Sequence, residues 1–549
     1  MGAGKLRAAK RKSAARQVRP EPESNGVGTL FRAHAYWVLP FALFLTLRLF
    51  CGDPFYLLGG DQCTFLELAR TFPKHQLFNH ELYLIHSPIF GYAIGLLHLV
   101  LPLLASGLVA VLIFACLTFF AIRSIGQFEK LPRTAIFVGL LYLAVSRPAV
   151  AYDYHVSRVS ILVCSNALAL LAFLHWLQKG DRKTLTLAIA ANVFSLLVSE
   201  QGLVVLPCEA LLFLVRGPRR WKPSLWIAAS STAAALVWPM VRLIEFTMRA
   251  DLPAGISGTI EFTKNFPISA LLQPNYLPFT NAHRSLYLQT SMSLANLKPA
   301  LFALLPTDLL PTPHWLSVLL VLVLIVGAMA DSARRKRAAV WLGMSLLFLL
   351  PVAVGMYEWY GMGFVVPFAL LMMEGAAFLT ARADKMCTLA LSVACVLAAV
   401  LWLSAAAPEP HDPLFPRGGT HFLFSRPTTT HASVISEFFT SMPRDTGIMA
   451  PTDLSPELLY LTDKRVIALP FDPALLDRFV DEYKISYVLT SSDLLKKYAS
   501  PVADQYTGAL VTRYLAAHQD RYRLVKSLRE TYPAFNPPQD YYVLQVQKR

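Results

Sequence analysis

Asp61 follows two glycines in the stretch LLGGDQCTFLELARTFPKHQLFNHELYLIHSPIFGY (57–92), which also holds Glu67, Arg70, Lys74, Glu81 and three histidines. A second acid, Asp153, stands between Tyr152 and Tyr154 and is followed by His155 and Arg158. A carboxylate beside cations can take a proton from an acceptor hydroxyl and stabilise a developing sugar cation, while arginine and histidine hold an anionic leaving group. Asp61 and Asp153 are the candidate catalytic residues on this reading. On spacing alone, a lone acid in such a loop is usually a solvated group or a helix cap, and this holds for Asp153 even more than for Asp61.

The elements that must position these groups are apolar. The chain of 549 residues is 55% hydrophobic and 15% charged, against about a quarter charged in an ordinary soluble domain. This composition predicts a polytopic membrane protein. The net charge of +15 sits in short basic clusters between apolar runs, which marks topology rather than a nucleic-acid surface, so no nucleic-acid partner is expected. Five of the seven cysteines, Cys116, Cys164, Cys208, Cys387 and Cys395, lie inside apolar runs and read as packing residues. Cys51 and Cys63 flank Asp61 and are either a disulfide or two thiols.

Residues 1–33 are basic and rich in Ala, Ser and Pro, and are expected to be a disordered cytoplasmic tail rather than a cleaved signal. With the tail inside, a first helix over about 35–50 delivers the Asp61 loop to the exoplasmic face. The remaining basic clusters (123–133, 178–183, 216–222, 331–337 and 382–385) all fall inside under one threading, provided that 88–101 is a re-entrant or juxtamembrane helix broken from the second span at Pro102. Further spans are expected over 134–150, 159–177, a pair within 184–215, 224–246, 315–330, 338–354, 363–381 and 386–406, about eleven in all. The transmembrane domain then covers 34–406, with exoplasmic loops at 51–87, 151–158, 199–202 and 249–314. The stretch after Asp61 is amphipathic, with Phe65, Leu66, Leu68 and Phe72 suited to a helix on the membrane interface.

From 407 to 549 the composition is that of a soluble domain. TGIMAPTDL, KRVIALPF, ISYVLTSS and YYVLQVQ read as strands, and SPELLYLT and DPALLDRFVDEYK as helices with Ser455 and Asp472 at capping positions, so a small α/β domain is expected on the exoplasmic side. It has no phosphate-binding glycine loop and no nucleophile elbow. Elsewhere, Glu200 in SEQG either faces the same cavity as Asp61 or caps a turn. Glu209, Arg242, Glu245 and Glu374 lie in or near spans, where an ionisable group is a functional hypothesis by default, although Arg242 and Glu245 are placed to pair with each other. Lys264, His283 and Arg284 in the long loop are either solvated or available to a lipid phosphate.

GGDQCTFLELARTF followed by HSPIFGYAIGLLHLVLP resembles the first exoplasmic loop of the GT-C superfamily of membrane glycosyltransferases, which includes protein O-mannosyltransferases and lipid A aminoarabinose transferases. The C-terminal stretch from SMPRDTGIMAPTDL to ISYVLTSSD is similar in pattern to theirs. The resemblance implies a mainly α, GT-C-like membrane domain with a C-terminal α/β domain, in the plasma (inner) membrane. It implies transfer of a sugar from a polyprenyl-phosphate donor to a lipid, glycan or protein acceptor, with membrane lipids around it. It maps the family's acids to Asp61 and Asp153, its Ala-Arg pair to Ala69 and Arg70, and its closing proline to Pro88. Arg70, His86, Arg158, Lys264 and Arg284 are then the candidate donor-phosphate ligands, and Tyr152, Tyr154, His155 and Glu200 the candidate cavity lining. Three positions depart from the pattern. Gln62 stands where an acid is frequent, so no cofactor is assigned and a divalent metal is left open. His86 and Ser87 replace a basic-Pro pair, and MYEWYGMGFVVPF lacks an Arg-Tyr element. A transporter or flippase of a lipid-linked precursor, supported by Glu209 and Glu374, and a non-catalytic assembly factor of the same fold are the alternatives.

Overall fold

The computed structural model describes residues 27–50, 56–58, 60–72, 87–153, 155–216, 221–248, 314–353, 358–382, 428–430, 433–451, 454–462, 464–469, 473–491, 508–530 and 539–547. The membrane part comprises α1 (Val27–Phe50), β1 (Tyr56–Leu58), α2 (Gly60–Thr71), α3 (Ile89–His98), α4 (Leu103–Phe128), α5 (Arg133–Val145) and α6 (Arg147–Tyr152). It continues through α7 (Val159–Lys179), α8 (Arg182–Val198), α9 (Val205–Arg216), α10 (Trp221–Met248), α11 (His314–Ala330), α12 (Ser332–Ala353) and α13 (Val365–Arg382). Among the described residues, Leu103–Phe128, Val159–Lys179 and Gly361–Ala381 are long and apolar enough to cross a membrane. The expected break at Pro102 is present, since α3 ends before it and α4 begins after it. The expected span 386–406 and all but the last residue of the expected loop 249–314 lie outside the described residues.

Local sequence explains the boundaries. Asp181 caps α8 by accepting a hydrogen bond from the Thr184 amide at 2.7 Å, and Gly180 ends α7 with a φ of 65°. α5 packs between α1 and α13, while α7 packs between α4 and α8, around one core that includes Phe44, Phe119, Leu140, Leu170, Trp341 and Phe368. α11 and α13 cross so closely that a Cβ at Gly375 would collide with the Leu324 backbone.

At one end of the bundle the basic clusters converge. Glu129, just after α4, is ion-paired to Arg216 at the end of α9 and lies 3.8 Å from Arg337. Arg334 and Arg337 of α12 hold Glu374 of α13 at 3.2 and 2.9 Å, and Arg334 also reaches Asp331. Glu129, Arg216, Arg334 and Arg337, from three of the predicted clusters, thus meet on one side. Glu374, a support for the transporter alternative, is neutralised by that network.

The second part contains β2 (Thr428–Thr430), α14 (Ser433–Thr440), β3 (Gly447–Ala450), α15 (Ser455–Thr462), β4 (Arg465–Ala468) and α16 (Pro473–Glu482). It ends with β5 (Ile485–Ser491), α17 (Gly508–Ala517), β6 (Tyr522–Glu530) and β7 (Gln539–Val546). The strands form a five-stranded sheet in the order β4-β3-β5-β7-β6, parallel across β4-β3-β5 and antiparallel across β5-β7-β6. Successive strand residues point to opposite faces. Ile448, Val466, Leu489 and Val543 pack under α14 and α15, whereas Met449, Ile467, Val488 and Leu544 pack under α16 and α17. Ser455 begins α15, but its hydroxyl donates to the Ala450 and Pro451 carbonyls instead of accepting from the helix, which corrects the capping expected of it. Asp472 lies outside the described residues.

The two parts are joined. β1 pairs in parallel with β2, Tyr56 opposite Thr428 and Leu58 opposite Thr430, and α15 packs on α2.

Candidate active site

The Asp61 helix, α2, is held between α3 below and α15 above. Gly91 and Gly95, one turn apart on α3, leave room for Leu68 and Phe72: a Cβ at either glycine would sit 2.7 Å from the Leu68 Cβ or 2.6 Å from the Phe72 Cβ. Cys63, Phe65, Leu66, Leu68 and Ala69 are all buried, in a core shared with Phe90, Ile94, Val111, Val156 and Leu162. The amphipathic stretch is therefore a helix, as the sequence predicts, but its polar side is roofed by α15 rather than exposed at a membrane surface. Arg70 is ion-paired to Glu67 and its guanidinium donates to the Leu459 carbonyl of α15 at 3.5 Å. Burial, with Glu457 and Glu67 nearby, holds the Cys63 thiol well above its ordinary pKa; it is a free cysteine. Cys51 lies outside the described residues.

The second acid is organised by a proline. Pro148 has no amide hydrogen, so the Ala144 carbonyl four residues earlier has no helical donor, and the helix breaks at Ser146, which is extended. Arg48, at the last turn of α1, fills that gap by donating to Ala144 O at 3.2 Å, and to Phe44 O at 3.3 Å. Its Nε lies 2.6 Å from Asp153 Oδ2, and its guanidinium stacks 3.5 Å from the Phe44 ring centroid. The Ser160 hydroxyl donates to Asp153 Oδ1 at 3.0 Å. Arg48 is fully buried. Burial pushes the Asp153 carboxyl above its ordinary pKa, against the opposing pull of Arg48 and Ser160. Asp153 is thus a cross-helix strut between α1, α6 and α7 instead of an acid at an open mouth.

Around this strut the predicted loops come together. Gln62, next to Asp61, approaches His155 at 3.4 Å between its amide nitrogen and the ring Nδ1. The Ser87 hydroxyl donates to Leu197 O at the end of α8 at 2.5 Å, which ties the first loop to the SEQG turn. Arg158, at the N-terminus of α7, is 9% exposed, and no ion pair or side-chain hydrogen bond engages it among the described residues. A nearly buried guanidinium with no anion is an arrangement that an anionic ligand completes. Tyr152 is half-buried beside Asp153.

Asp61 lies in the first turn of α2 and Glu200 opens the 3-10 turn Glu200–Val204, but the side chains of both lie outside the described residues. Tyr154, His86, Lys264, His283 and Arg284 lie wholly outside them, as do the side chains of Arg242 and Glu245. Glu209 is buried, and its carboxylate accepts from the Asn192 amide at 2.8 Å. Among the described residues, no three of His, Cys, Asp and Glu gather as a metal site would require. Arg48 was missed by sequence reasoning. The signal was present, a lone charge within the apolar run FALFLTLRLF, and the rule applied to Glu209 and Arg242 applies equally to it.

No protein-family model matches the chain, and no curated protein sequence matches it. Among solved structures, the crystal structure of the Archaeoglobus fulgidus oligosaccharyltransferase in the apo form aligns with a TM-score of 0.53 at 11% identity, over 94% of this chain and 75% of that one. The crystal structure of ArnT from Cupriavidus metallidurans bound to undecaprenyl phosphate aligns over 93% of this chain and 98% of that one, at 13% identity and a TM-score of 0.42. At 11% identity the likeness to the oligosaccharyltransferase is one of fold.

Proposed function

We propose that this chain is an integral membrane glycosyltransferase that moves a sugar from a polyprenyl-phosphate donor to an acceptor on the exoplasmic face. The observation that carries the reading is Arg158, a nearly buried arginine unpaired among the described residues, set beside the His155–Gln62 contact that adjoins Asp61. The fold shared with an oligosaccharyltransferase supports it. A lipid donor suits this placement, because its chain stays in the bilayer while its phosphate reaches the end of the bundle.

In the proposed reaction an acceptor hydroxyl attacks the anomeric carbon, a carbon–oxygen bond to the acceptor forms, and the bond to the phosphate oxygen breaks. Asp61 takes the hydroxyl proton, and the polyprenyl phosphate leaves with its charge held by Arg158. Asp153 holds Arg48 and, through the turn 153–158, keeps His155 and Arg158 in place. The N-terminus and the basic end are cytoplasmic, and the domain 407–549 is exoplasmic and roofs α2.

The test separates binding from chemistry. Arg158→Ala is expected to weaken binding of undecaprenyl phosphate to the purified protein by roughly tenfold or more, the loss of a hydrogen bond to a charged group. Asp61→Asn is expected to retain that binding and to lower sugar transfer by about 100-fold or more. Unchanged binding in Arg158→Ala overturns the phosphate site, and full transfer in Asp61→Asn overturns the base.

A further inference from the structure

At the basic end, several arginines are matched by acids. Arg216, Arg334 and Arg337 all meet Glu129, Asp331 or Glu374. Two are not. Arg123 of α4 and Arg133 at the start of α5 have no ion pair among the described residues, and the Arg123 Nε is buried with no hydrogen-bond acceptor. Both guanidinium groups flank the same ring, lying 6.0 and 5.7 Å from the centroid of Tyr36, and Arg123 also lies 4.6 Å from the centroid of Trp37. The rings are themselves fixed: the Gln127 amide donates to the Tyr36 hydroxyl at 2.7 Å, Trp37 donates to His34 at 3.3 Å, and Trp37 meets Phe120 edge-on.

Two cations held around one amphipathic ring, without an acid, form a cradle for a phosphate. The surface leading away from it is apolar. Phe120, Cys116 and Ile113 follow Arg123 along one face of α4, and Ile113, 43% exposed, lies about 15 Å from Arg123 at 1.5 Å per residue. A ligand that places an anion at Arg123 and Arg133 and an acyl chain along α4 satisfies both surfaces. We infer that this is a binding site for an anionic phospholipid, with its headgroup phosphate between Arg123 and Arg133 and its interface anchored by Tyr36 and Trp37. Tyr36 lies twelve residues, about 18 Å at 1.5 Å per residue, along α1 from Arg48, so the headgroup site is separate from the proposed donor site.

Native mass spectrometry of the purified protein with phosphatidylglycerol, phosphatidylcholine or inorganic phosphate tests this. The wild type is expected to retain phosphatidylglycerol at least several-fold over phosphatidylcholine, and millimolar inorganic phosphate is expected not to displace it. The double variant Arg123→Gln/Arg133→Gln should lose that preference. Arg133→Gln alone changes only an exposed side chain, so it should fold and lose part of it, whereas Arg123→Lys should keep most of it. Equal retention of the two lipids by the wild type, an undiminished preference in both Gln variants, or displacement by inorganic phosphate overturns the lipid site. Undecaprenyl phosphate binding should be unaffected by Arg123→Gln/Arg133→Gln, so failure here is distinguishable from failure of the Arg158 site.

Discussion

Truncating Arg48 removes the ion-pair partner of Asp153 and the donor to Ala144 O at one stroke. Because the pair is buried, breaking it from one side leaves an uncompensated charge, which costs about 3–5 kcal/mol. Arg48→Ala is therefore expected to lower the melting temperature of the detergent-solubilised protein strongly, whereas the matched change Arg48→Met/Asp153→Leu should recover most of the loss. That double variant also separates roles: if Asp153 is a strut, it should retain far more transfer than Asp61→Asn does. The position of Arg158 as a candidate anion ligand was legible in the sequence, because it follows an acid and a histidine at the mouth of a span. Its lack of a partner was not, since that depends on Arg48 having already claimed Asp153 across 105 residues of chain.

At the scale of elements, α2 is the helix on which the site depends, and its neighbours give it two kinds of support. Below, glycines on α3 permit contact; above, α15 closes the polar side. Cys63 reports on that closure. Its thiol is buried and pushed well above the usual cysteine pKa by burial first and by Glu457 and Glu67 next, so at pH 8 it carries less thiolate than a free cysteine and should resist alkylation. Tyr460→Ala, which removes a ring packed against the α2 core, is expected to speed Cys63 alkylation at least tenfold in a background lacking the other cysteines; an unchanged rate would place the closure elsewhere. The α11–α13 crossing offers a second check, since Gly375→Ala forces a methyl against the Leu324 backbone and should cost about 1–3 kcal/mol, read as a fall in melting temperature. The apolar runs of the helices and the continuous apolar cores of β3, β4, β5 and β7, buried on both faces of the sheet, made these elements readable. β6 escaped because it is an edge strand: Leu524 and Val525 are exposed and Arg523, Lys526 and Arg529 interrupt the pattern. The docking of α15 on α2 left no local trace, as it joins two stretches that are each compatible with a free surface.

For the whole molecule, the convergence of basic clusters around Glu129 and Glu374 supports a single orientation of the chain. A cysteine introduced as Asp453→Cys, in a background lacking native cysteines, is expected to react with an impermeant maleimide in intact cells. Arg219→Cys and Arg335→Cys should react only after permeabilisation, and a reversed pattern would overturn both the orientation and the exoplasmic site. The pairing of β1 with β2 carries a consequence for how the protein is made. Thr428 follows Leu58 by 370 residues, and at about 5–20 residues per second of synthesis the first loop waits roughly 20–75 s for its partner strand. Throughout that interval α2 has its α3 neighbours but no roof, with the Glu67–Arg70 surface open to water and to other nascent chains. Competence at this end is acquired last, and a chain that terminates before residue 428 inserts its helices with the candidate active site still unassembled.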